Sequence, residues 1–117
     1  MEAKKIKKTL TQLQCQYLEA MGFDMPFDFT SVKDGRPLYD PLDIPDLLAL
    51  LPDSIEFQGE TWHLDMSHED IDDSDKPIWR VAFWNSRWND NHWRCESPEL
   101  IDALFTLVVM LKELGFV

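Results

Sequence analysis

The spacing of apolar residues along this chain changes period twice, and nothing else in the sequence constrains the fold as strongly. Leu10, Leu13, Tyr17, Leu18 and Met21 recur at intervals of three and four, with Ile6 extending the stripe backwards. That pattern predicts a helix over 9–21, closed by Gly22 in the left-handed region. From Ile55 the interval falls to two. Ile55 and Phe57 lead into Gln58-Gly59, a hairpin-turn pair, and Trp62, Leu64 and Met66 then alternate with His63 and Asp65. Trp79, Val81 and Phe83 alternate in the same way with Ile78, Arg80, Ala82 and Trp84. Beyond Glu96 the helical interval returns. Ser97 is placed as N-cap and Pro98 as first helical residue. Eleven apolar residues follow between Leu100 and Leu114, broken by a polar stripe of Asp102, Thr106 and Glu113.

The intervening stretches are shorter signals. Residues 23–43 read as irregular, with a turn at Lys33-Asp34-Gly35-Arg36-Pro37 and with Phe23, Phe27, Phe29, Leu38 and Tyr39 expected to pin the loop to the body. A short helix follows, capped by Asp43, with Pro45 in its first turn and Leu47, Leu48, Leu50 and Leu51 as its apolar positions. Asn85 to Asn91 reads as a turn and His92 to Glu96 as a short returning strand. Connections this short favour an antiparallel meander. The expected architecture is α+β, a small antiparallel meander of three to four strands packed against an N-terminal and a long C-terminal helix. The 117 residues suffice for one domain, 1–117, with a basic, flexible start at 1–8.

Charge narrows the partners. The chain carries 11 Lys and Arg against 22 Asp and Glu, a net −11. Lys4, Lys5, Lys7 and Lys8 against Glu2 leave the first eight residues at +3 and the remainder at −14. Such a body repels phosphate backbones, so duplex nucleic acid is a disfavoured partner and a basic protein a favoured one. Cys15 and Cys95 make no disulfide framework, no secretory leader pattern is present, and no apolar run is long enough to span a bilayer. A cytoplasmic protein with reduced thiols, away from the membrane, is expected.

No reaction chemistry is written in the motifs. The link Asp65–Asp75 offers six acids, but an EF-hand loop needs a glycine at its bend, and no Gly lies between Gly59 and Gly115. His92 and Cys95 are three apart without a second pair at zinc-finger spacing, and on a regular strand they would face opposite ways. No glycine-flanked nucleophile and no phosphate loop occur. No cofactor, metal site or catalytic residue is therefore expected. Cys15, just off the apolar face of its helix, reads as a packed thiol.

The segment from Trp79 to Arg94 is the exception to the acidic background. Trp79, Trp84, Trp88 and Trp93 stand there with Arg80, Arg87 and Arg94 against Asp90. Tryptophan and arginine are the side chains that dominate binding surfaces. If the Trp62, Leu64, Val81 and Phe83 side meets the helices, then His63, Asp65, Arg80 and Trp84 share the outer side. Together with Arg87 and Trp88 they form the expected contact surface.

Two stretches carry a resemblance: the strand Pro77-Ile78-Trp79-Arg80-Val81-Ala82, and the ending Ser97-Pro98-Glu99-Leu100-Ile101-Asp102-Ala103-Leu104, closed by Leu114-Gly115-Phe116. In these the chain resembles small proteins encoded by phages and prophages. The resemblance covers the C-terminal third and transfers no activity or site residue. It implies an accessory factor, one that inhibits a host component. The expected function is thus a small acidic protein-binding module without enzymatic activity. The alternatives are a divalent-metal-dependent hydrolase using the 65–75 loop with His63 or His68, and a homo-oligomeric structural protein associating through its C-terminal helix.

Overall fold

The computed structural model describes residues 7–23, 32–33, 36–37, 41–69, 78–88 and 90–117. Its elements run α1 (Gln12–Ala20), β1 (Val32–Lys33), β2 (Arg36–Pro37), α2 (Ile44–Leu50), β3 (Ser54–Phe57), β4 (Glu60–Glu69), β5 (Ile78–Asn85), β6 (Asp90–Ser97) and α3 (Leu100–Leu114). β3 to β6 form one antiparallel sheet in chain order, a plain meander, and β1–β2 is a separate small hairpin across the expected turn. The architecture is α+β. The expected loop anchors Phe27, Phe29, Leu38 and Tyr39, the acids Asp70, Asp72, Asp73 and Asp75, and the first six residues lie outside the described residues.

The turn between β3 and β4 follows from its two residues. Gln58 has φ 53° and Gly59 φ 78°, the pair of positive values that a two-residue type I′ turn needs to match strand twist. That turn sets Ile55 opposite Trp62 and Phe57 opposite Glu60. β4 continues to Glu69 and pairs with β5 from His63–Trp84 through Glu69–Ile78. The acidic link thus begins later than expected: Asp65 to Glu69 belong to a paired strand, not to a loop.

β6 breaks the alternation. Trp93 sits in the left-handed region at φ 54°, and the register shifts between its partners Val81 and Phe83. This bulge places one extra residue on β6. His92 then faces the same way as Phe83 and Cys95 the same way as Val81, so the two share a side of the sheet, contrary to the expectation from a regular strand. Trp93 also turns inward. Its ring lies 4.9 Å from Phe116, 5.3 Å from Phe57 and 6.0 Å from Phe83, centroid to centroid. A left-handed bulky residue costs of order 1–3 kcal/mol, which this aromatic packing offsets.

α3 starts two residues later than its sequence signals suggest. Ser97 is the last residue of β6, and its Oγ accepts the Glu99 N–H at 3.2 Å, a local turn rather than a helix cap. Glu99 occupies the cap position without capping, because its carboxylate accepts the Lys7 N–H at 3.1 Å. Lys7 Nζ meets Asp102 Oδ1 at 2.6 Å and Gln14 Oε1 at 3.0 Å, so the expected flexible start is anchored at this residue. The far end closes as foreseen. Gly115 at φ 85° donates to the Lys112 carbonyl and Phe116 to that of Leu111, the two bonds of a Schellman closure.

The core lies between α3 and the sheet. Ile101, Ala103, Leu104, Leu107, Val108 and Leu111 are buried, α3 contacts β5, β6 and α2, and Val81 and Phe83 meet it from the sheet. α1 is joined to this body by its entry. The Leu10 N–H donates to the Leu42 carbonyl and the Leu42 N–H to Cys15 Sγ, while Thr11 and Gln14 form a capping box. Because Leu10 lies in an extended segment before that cap, its facing does not follow the helical period. The buried side of α1 is Cys15 and Leu18, and Leu13 and Tyr17 turn outward, at 78% and 49% exposed.

Leu107→Ala should cost about 2–5 kcal/mol of unfolding free energy, the range for emptying a closed core site. Leu13→Ala, on the stripe that the period alone would bury, should stay within roughly 0.5 kcal/mol of wild type in the same urea titration.

Candidate binding surface

The register of β4 and β5 decides which side chains meet. His63 lies directly opposite Trp84, Asp65 opposite Ala82 and Ser67 opposite Arg80, all on the side away from α3. Glu56 and Ser54 of β3 and Arg94, Glu96 and Asn91 of β6 complete that side. His63, Asp65, Trp84, Glu56, Arg94 and Glu96 are exposed there, and only the small Ala82 at its centre is buried. Four of the six expected contact residues, His63, Asp65, Arg80 and Trp84, therefore stand together on one open face.

Its charges are arranged in a row. Glu96 Oε1 receives Arg80 Nε at 3.2 Å and Arg94 Nε at 3.4 Å, one carboxylate shared by two guanidinium groups. Pairs this exposed contribute little stability, but they bring both arginines to one carboxylate. The side chains of His63, Asp65 and Trp84 make no hydrogen bond or ion pair among the described residues, so their polar atoms are open to another molecule. Among the described side chains of this face, Glu56, Asp65 and Glu96 stand against Arg80 and Arg94, a net −1.

The other two expected residues lie elsewhere. Arg87 and Trp88 belong to the β5–β6 turn, where Arg87 pairs with Glu60 at 2.8 Å and rests its guanidinium 5.5 Å from the Trp88 ring. The turn is held by Asn85, whose buried amide donates to the Thr61 carbonyl and whose oxygen accepts the Trp88 N–H. Trp88 lines a recess of about 310 Å³ with Gln58, Trp62, Asp90 and His92. Trp62 and His92 are side chains of the α3-facing side, so this recess is separate from the open face. Sequence alternation missed it, because it depends on the bulge and on two turns meeting at one end of the sheet.

β4 also divides the residues of the hydrolase alternative. His63 and Asp65 point to the open face, whereas His68 points to the other and stacks on Trp79 at 4.2 Å. Among the described residues no three His, Cys, Asp or Glu side chains converge as metal ligands. A second apolar patch lies between helices: Tyr17 of α1 and Phe105, Thr106 and Val109 of α3 line a groove of about 200 Å³. Among the described residues no helix is long and apolar enough to cross a membrane. Comparison with protein-family models, curated proteins and solved structures gives no match for this chain.

Burial keeps both thiols protonated at neutral pH. Both are unpaired and buried. Desolvation raises the Cys15 thiol despite the opposing hydrogen bond from Leu42, and it pushes Cys95 up to about 11. Because the folded value of Cys95 exceeds its unfolded one, its stabilising contribution is complete below about pH 9 and falls away as the pH rises towards 11. At pH 8 a disulfide reagent such as DTNB should leave the native protein unlabelled and titrate both cysteines once it is denatured. Prompt labelling of the native protein would contradict their placement.

Proposed function

We propose that this chain is a small protein-binding module without enzymatic activity, that its contact surface is the open face of the sheet around Trp84, and that its partner is a basic protein. The observation that carries the reading is the exposed Trp84 indole, directly opposite His63 and with Asp65 on the same open side. An aromatic ring of this kind offers large contact area at small entropic cost, and the polar groups beside it supply orientation. Rigid strands hold these side chains, so little ordering is left to be done on binding.

The net charge of −11 plays a different part. The described side chains of the face carry only a net −1 of this, so the charge of the chain as a whole raises the encounter rate with a basic partner rather than making the close contacts. The resemblance to phage-encoded proteins supports an accessory factor that occupies a surface of a host component.

The test is a comparative capture from a bacterial host lysate at low and at physiological salt, with wild type and with His63→Ala/Trp84→Ala. A protein of basic isoelectric point, retained by wild type, lost by the double variant and weakened by salt, is the expected result. Recovery of the same proteins by both would remove the open face as the contact surface. Recovery of none at low salt would remove the reading itself.

A further inference from the structure

At the end of the sheet where the β3–β4 and β5–β6 turns meet, the fold leaves an open, aromatic-walled recess that the reading above does not use. Its walls are the buried Trp62, the half-buried His92 and the exposed Trp88, with Asp90 and Gln58 at the rim. Trp62 and His92 stand 4.3 Å apart at 61°, edge against face, and Phe57 and Trp93 back them from the core. The wall is therefore preorganised.

Two features mark this corner as more than a surface irregularity. Among the described residues, the buried side-chain polar atoms without a hydrogen-bond partner are Trp62 Nε1 and Asn91 Oδ1. Trp62 lies in the recess wall, whereas Asn91 pairs with Trp84 and belongs to the open face. An unpaired buried indole N–H is rare in folded proteins and marks a wall where packing of the rings outweighs hydrogen bonding; as a donor it adds nothing to the binding of a cation. Secondly, the Trp88 ring already accepts a cation: Arg87 lies 5.5 Å from its centroid and is neutralised by Glu60 at 2.8 Å. Asp90 is thus the acid lining the recess, and the Glu60–Arg87 pair beside Trp88 adds no net charge.

We propose that this recess is a binding site for an organic cation, an alkylammonium or methylated ammonium group held by aromatic rings and the Asp90 carboxylate. Rings of tryptophan present negative π faces and apolar bulk, which suit a cation with a greasy, weakly hydrated surface, and the His92 ring packed against Trp62 fixes the wall. The recess volume of about 310 Å³ accommodates a trimethylammonium head with part of its chain. A carboxylate at the rim adds charge complementarity and remains solvated when the site is empty, so no buried charge is left unpaired. The site stands apart from the open face and does not depend on it.

The probe is tetramethylammonium chloride, followed by the indole N–H signals of the five tryptophans in ¹H–¹⁵N spectra and by calorimetry. Sodium chloride at equal ionic strength and the neutral isostere 3,3-dimethylbutanol serve as controls. Saturable shifts confined to Trp62 and Trp88 are expected, with affinity roughly threefold to thirtyfold weaker in Asp90→Asn and Trp88→Ala. Both positions are exposed, and thermal melts confirm that the variants fold. Arg87→Gln, which removes the internal competitor, should bind as well as wild type or better. Equal response to the neutral isostere or to sodium chloride, or unchanged affinity in both Asp90→Asn and Trp88→Ala, would overturn the proposal. So would loss of binding in Arg87→Gln, because a guanidinium that competes for the ring cannot also be needed to hold the cation. Free tetramethylammonium compared with Nα-acetyl-trimethyllysine amide then separates a small-molecule cation from one borne by a peptide.

Discussion

The packing of α3 against β5 and β6 is the contact on which the remaining features rest. Leu104, Leu107, Val108 and Leu111 lie against Val81 and Phe83 with essentially no exposed surface, and burying each such side chain contributes about 1.5–3 kcal/mol. Because side chains on a strand alternate, committing Val81 and Phe83 to this helix commits Arg80, Ala82 and Trp84 to the other side. The open face is a consequence of where the helix lies. A slip of one residue in the β4–β5 pairing would put Phe83 on the side of His63, so that either Phe83 goes to water or His63 to the core, and the register is held by the same burial that defines the core.

The bulge at Trp93 is the second determinant. It brings two consecutive aromatic side chains, His92 and Trp93, to the α3-facing side. Trp93 completes a cluster with Phe57, Phe83 and Phe116 that ties β3 and the chain just beyond α3 together. His92, displaced towards the turn, walls the recess with Trp62. A regular β6 would have sent one of these rings to solvent, and neither the cluster nor the recess would exist in its present form. The chain thus presents two distinct surfaces at different places on one sheet, an open mixed face and an aromatic corner.

How much of this was legible follows from what each signal depends on. The facing of β4 and β5 could be read, because alternation is a local property and both strands are regular. The β3–β4 turn could be read from Gln58-Gly59, and the end of α3 from Gly115. The start of α3 could not: Ser97 has the chemistry of a cap, but β6 claims it for pairing with Trp79, and the Glu99 carboxylate is drawn to Lys7, a contact 92 residues distant in sequence. Nor could the buried side of α1, since Leu10 precedes the helix and Cys15 looks less apolar than Leu13. The bulge has no sequence mark, because no glycine stands at position 93 to announce a positive φ. Arg87 and Trp88 were grouped with the open face by composition; only the turn geometry separates them from it.

The division of the sheet into a covered and an open side is tested most directly by the solvent exposure of the five indoles. A soluble gadolinium chelate, titrated into uniformly ¹⁵N-labelled protein, broadens each indole N–H signal according to its distance from solvent. The structure predicts strong broadening for Trp84 and Trp88 and protection for Trp62. Protection of Trp84 together with strong broadening of Trp62 would mean that the sheet is turned the other way, and would contradict the account.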